Sequence, residues 1–91
     1  MRKIEQDMLN AIREGNSNWQ QGNTALRNCA MYVDVRLHGN SIAHVFEDGR
    51  VEPLGNMFRR WPTATTASRL RALGIDACIR NGVAHINGEP C

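Results

Sequence analysis

Apolar residues in the first fifteen positions recur at a helical interval: Ile4, Met8, Ala11 and Ile12 fall on one stripe, with charged and amide side chains between them. The spacing predicts a helix over 2–14, stopped by Gly15, because glycine takes the left-handed angles that end a helix without a steric cost. The stripe is narrow, so the helix is expected to lie on a sheet with Glu5, Asp7, Arg13 and Glu14 in water. Residues 16–22 form a polar loop in which Trp19 reads either as a plug at the core edge or as a partner-facing ring.

From residue 23 the period falls to two. Residues 24–28 predict a first strand, and 32–38 alternate cleanly, with Val33, Val35 and Leu37 on one face. Gly39-Asn40 signals a tight hairpin; a loop of only those residues pairs Leu37 with Ile42, Val35 with His44 and Val33 with Phe46. The inner face is then Val33, Val35, Leu37, Ile42, His44 and Phe46. The outer face carries Tyr32, Asp34, Arg36, His38, Ser41, Ala43 and Val45. After a turn at 47–50, residues 51–54 predict a short strand that Pro53 confines to an edge, and 55–60 read as a loop.

Pro62 disfavours helix at Trp61, while Thr63, Thr65 and Thr66 offer oxygens to the free amides of a starting helix. A second helix is expected to run to Leu73, burying Ala67, Leu70 and Leu73, with Gly74 beyond its end. Asn81-Gly82 is the strongest short hairpin signal in the chain and joins strands over 75–80 and 83–86. Ala77, Ile79, Ala84 and Ile86 share one face of that hairpin. The expected fold is α+β in the order αββββαββ: a small antiparallel sheet with two helices on one side, in a single domain over 1–91.

Composition narrows the function classes. A chain of 91 residues with 42% apolar and 22% charged residues suits one folded domain with a thin core and excludes a disordered segment. The apolar runs are too short to span a membrane, and the charged amino terminus does not read as a signal peptide. Cys29, Cys78 and Cys91 are odd in number and widely spaced, as expected of free thiols in a reducing cytoplasm. A net charge of +2 is too small to argue nucleic-acid binding from the field alone. Lys3 is the only lysine beside ten arginines. That bias reflects either the guanidinium fork that suits partly desolvated anions or a preference for arginine codons.

No arrangement of residues reads as catalytic. Cys78 and His85 are expected cross-strand on one face of the last hairpin, but with Asp76 they fall short of a closed zinc site unless Cys91 folds back. A cysteine nucleophile, Cys29 or Cys78, would need a histidine held by a third group within a pocket, and a domain with short hairpins and no Gly-rich loop offers little concavity. No metal, cofactor or enzymatic activity is therefore expected. A helix-turn-helix is excluded because residues 76–80 alternate like a strand where a recognition helix belongs. The binding candidates are Phe58, Arg59, Arg60 and Trp61, read as a recognition loop, and Asp34, Arg36 and His38 on the outer sheet face beside Tyr32. Trp61 has a second reading, packed under the second helix.

Two motifs order several unlike residues at fixed spacing: LHGNxIA at 37–43 and WxTxTTxSRLxAL at 61–73. With residues 2–13, Asn18-Trp19 and Gly22-Asn23-Thr24, they resemble a family of short uncharacterised proteins of tailed bacteriophages. Residues 56–60 depart from that pattern by separating the tryptophan from its preceding glycine. The resemblance implies a phage origin and a life in the cytoplasm of an infected bacterial host, and it carries over no activity. Small phage proteins of this class often inhibit host machinery. The expectation is a non-catalytic protein, monomer or homodimer, that binds no membrane and blocks a host protein or ribonucleoprotein complex, including anti-defence inhibition of the anti-CRISPR kind. The alternative is a nucleic-acid-binding module that contacts phosphates through arginines.

Overall fold

A computed structural model describes residues 1–16 and 18–91. The polar loop expected at 16–22 includes Ser17, which lies outside the described residues. Helix α1 (Lys3–Glu14) starts where the Arg2 backbone N–H donates to Glu5 Oε1 at 3.3 Å and ends at Gly15, φ 76°. Met8 and Ala11 are buried, as the apolar stripe requires. Glu5 departs from expectation: it is 3% exposed, because Arg69 reaches it from 64 positions along the sequence.

Strands β1 (Gln20–Gln21), β2 (Thr24–Asn28), β3 (Tyr32–Leu37), β4 (Asn40–Phe46) and β5 (Val51–Pro53) form a five-stranded antiparallel meander in chain order. The remaining strands, β6 (Ala77–Arg80), β7 (Val83–Ile86) and β8 (Glu89–Pro90), make a separate three-stranded sheet. The fold is α+β as expected, with two sheets in place of one and with β1 and β8 added. Those extra strands are two polar-rich residues each, too short to show alternation.

The β3–β4 hairpin corrects the predicted register. Its turn is His38-Gly39, with φ 53° and 80°, so Leu37 faces Asn40 and Arg36 faces Ser41. Val35 then faces Ala43, which leaves Ile42 as an extra residue, a β-bulge that reverses side-chain parity in the rest of β4. Ala43 and Val45 consequently pack inward, while His44 and Phe46 join Tyr32 and Asp34 on the opposite face.

Residues 55–60, expected as a loop, form a short helix, α2 (Gly55–Arg60), lodged against β4 and β7. Phe58, at 1% exposure, holds it in the gap between the two sheets. Helix α3 (Ala64–Ala72) begins at Thr63, whose Oγ1 accepts from the Thr66 N–H at 3.1 Å. Its end is a Schellman motif: Ile75 N–H donates to Leu70 O, Gly74 N–H donates to Arg71 O, and Gly74 has φ 92°. Ala67 and Leu70 are buried, and α3 packs on α1, β4 and β6. The last hairpin matches expectation, with Ile79 opposite Ala84 across the Asn81-Gly82 turn.

Candidate functional site

The candidate site sits where α2 ends. Trp61 N–H donates to Met57 O at 2.9 Å, and Pro62 then turns the chain away before α3 begins. The indole is left 51% exposed, so the reading that packs it under the second helix does not hold. Beside it lies a cleft of about 230 Å³ lined by Leu37, His38, Asn40, Ile42, Met57, Trp61, Thr63 and Thr66. The β3–β4 turn and its bulge form one wall.

The residues grouped in the sequence as a recognition loop part company. Phe58 is core and drops out of any surface role, because α2 turns it inward between the sheets. Arg59 and Arg60 are both exposed. The Arg60 guanidinium carbon lies 5.8 Å from the Trp61 ring centroid. Arg59 acts elsewhere: burial pushes the Cys91 thiol above its usual range, and the nearby Arg59 charge partly offsets that rise.

The second predicted patch is also redrawn. His38 leaves the outer sheet face for the turn, where it lines the same cleft as Trp61. Arg36 Nη2 donates to Gly39 O at 2.6 Å, which fastens the turn to the sheet. Asp34 is on the expected face yet 5% exposed, beneath its neighbours. Its Oδ2 accepts from Ser41 Oγ at 2.8 Å and Arg36 Nη1 at 3.4 Å, while its Oδ1 lies 3.5 Å from His44 Nε2. His44 Nδ1 is 3.7 Å from Glu52 Oε1, and its ring stacks on Tyr32 at 4.0 Å between centroids. Arg27, Asp34, His44 and Glu52 thus stand opposite one another in a row across β2 to β5. Sequence reasoning missed this row. One signal pointed to it: the alternative parity puts Ala43 and Val45 inward and spares a histidine from the core.

Cys78 faces His85 as predicted, with the His85 ring within 2.9 Å of Val83 O. Among the described residues, no group of three or more His, Cys, Asp and Glu side chains is placed to hold a metal ion. No described helix is long and apolar enough to cross a membrane.

Over residues 1–91 the chain matches the family described as Kyanoviridae Gp96 protein. It belongs to that family of bacteriophage proteins. No curated protein and no solved structure matches it. The resemblance to short phage proteins thus holds over the whole length, and the Gp96 description names no activity.

Proposed function

We propose that this Gp96-family chain is a non-catalytic binding protein that blocks a host protein or ribonucleoprotein complex in the cytoplasm of the infected bacterium, with anti-defence inhibition of the anti-CRISPR kind as one such activity. The observation that carries the reading is the half-exposed Trp61 at the lip of a cleft, with Arg60 beside it. Tryptophan and arginine dominate the binding energy of protein interfaces, and a tryptophan left in water by a small domain gains most when a partner covers it.

The test compares wild type with Trp61→Ala and with the double variant Arg59→Ala/Arg60→Ala in capture from infected-host lysate. All three exchanged positions are exposed, so folding stability should change by no more than about 0.5 kcal/mol for each arginine. A host component retained by wild type is expected to lose about 2 kcal/mol or more of binding with Trp61→Ala. Unchanged capture by both variants would sink the proposal. The alternative, a nucleic-acid module, draws on the same pair, because a guanidinium beside an exposed ring suits a phosphate beside a stacked base. Salt separates the two: nucleic-acid affinity falls steeply as salt rises, and a specific protein interface responds less.

A further inference from the structure

We infer that the Trp61 cleft receives one bulky apolar side chain from an acidic segment of a partner protein. This rests on the host-binding reading above and adds to it the chemistry of the partner. Size comes first. At about 230 Å³ the cleft is smaller than the 300–1,000 Å³ or so that encloses a drug-sized ligand, so it suits a single side chain. Leu37, Ile42 and Met57 supply apolar walls, and the Trp61 ring forms the lip. His38 and Asn40 place polar groups at its rim that can bond the main chain of an inserted segment, while the Thr63 and Thr66 hydroxyls are already paired with each other at the start of α3.

Charge then selects the partner. None of the lining residues is acidic. The Arg60 guanidinium carbon lies 5.8 Å from the Trp61 ring centroid, and among the described residues no carboxylate pairs with Arg60. By contrast, Arg36 and Arg69 do have carboxylates within reach. The cationic edge at the cleft is therefore uncompensated, and acidic residues flanking the anchor would complete it. A second copy of the chain fits poorly. A twofold contact through this cleft brings the same patch, Arg60 included, against itself, and like charges facing each other cost affinity. Single-stranded nucleic acid also fits poorly, since it needs a basic groove that follows several phosphates, and here a compact apolar cleft has one arginine at its edge.

Blocked peptides with a central leucine, phenylalanine or tryptophan, flanked by glutamates in one set and lysines in the other, are titrated into the isotope-labelled full chain and followed by NMR. Glutamate peptides are expected to shift the Trp61 indole N–H and the His38, Asn40 and Ile42 amides, with affinity about tenfold above that of the lysine peptides at low salt. Arg60→Glu, an exposed exchange, should abolish or invert that preference. Equal binding of both sets, or no shift with either, overturns the inference. So do the same shifts produced by oligothymidylate, or by raising the concentration of the chain alone. If Trp61→Ala loses host capture while no charge preference is found, host binding stands and this inference falls. If the peptides behave as expected while capture ignores both Trp61→Ala and Arg59→Ala/Arg60→Ala, the cleft chemistry stands and the host-blocking reading falls.

Discussion

Arg69 ties α3 to α1 and β2 through its side chain. Its Nη1 lies 2.7 Å from Glu5 Oε2, its Nε donates to Thr24 Oγ1 at 3.1 Å, and Ser68 Oγ donates to the same Glu5 oxygen at 2.6 Å. Both charged residues are 3% exposed, so removing one strands the other in a low-dielectric site. Arg69→Met should cost about 3–5 kcal/mol in urea unfolding, and adding Glu5→Leu should restore part of that loss, because the orphaned carboxylate goes with it. A double variant less stable than the single one would contradict this account. The pair also predicts an acid response. Burial pushes the Glu5 carboxyl up, but the bonds from Ser68, Arg69 and the Arg2 N–H, with the Arg69 charge, outweigh it and hold the group below its usual value. A lowered carboxylate contributes stability above the ordinary glutamate value of about 4.3 and loses it as pH falls through the lowered one. The stability gap between wild type and Glu5→Gln should therefore be constant near pH 7 and shrink below about pH 4. A gap independent of pH would show that the carboxylate charge contributes nothing.

At the scale of elements, three turns share one geometry: positive φ at both central residues of His38-Gly39, Asn81-Gly82 and Asn87-Gly88. Such turns match the twist of the strands they join, and asparagine with glycine is their preferred content. His38, at φ 53°, is the exception. His38→Asn should raise stability by a few tenths to about 1 kcal/mol, since asparagine tolerates the left-handed region better. Gly82→Val should cost about 1–3 kcal/mol. No atom lies within 4 Å of a Cβ built at Gly82, so that loss would be backbone strain rather than a clash, and Gly82→Asn should recover most of it. An unchanged melting temperature for Gly82→Val would count against the turn.

For the whole molecule, two helices couple the sheets: α2 packs against β4 and β7, and α3 against β4 and β6. Phe58 is the largest fully buried side chain there, and Phe58→Ala should cost about 3–5 kcal/mol. In a domain whose stability is about 5–15 kcal/mol, that approaches global unfolding. Because Met57 lies on the same short helix and lines the Trp61 cleft, host capture should fall with it. Phe58→Leu, which retains most of the apolar volume, should keep both. If Phe58→Ala melts like wild type, the sheets are held together elsewhere.

The features legible in the sequence are those set by neighbours along the chain. Gly15 and Gly74 stop helices because only their own backbone angles matter, Thr63 caps α3 from three residues away, and Asn81-Gly82 sets its hairpin register locally. The exposed Arg59 and Arg60 were legible for a related reason: Pro62 and the threonine cap place them outside α3. What sits opposite a side chain after packing was not. A bulge at Ile42 changes no residue type, yet it turns His44 and Phe46 from the expected core face to the open one. Phe58 belongs to the core only because two sheets leave a gap for it, and no local pattern announces a gap. Glu5 reads as a solvated helix residue until Arg69, 64 positions away, meets it. Trp61 likewise had two readings along the chain. Tertiary packing chose between them by filling the space beneath α3 with Ala67 and Leu70, which left the indole at the mouth of the cleft.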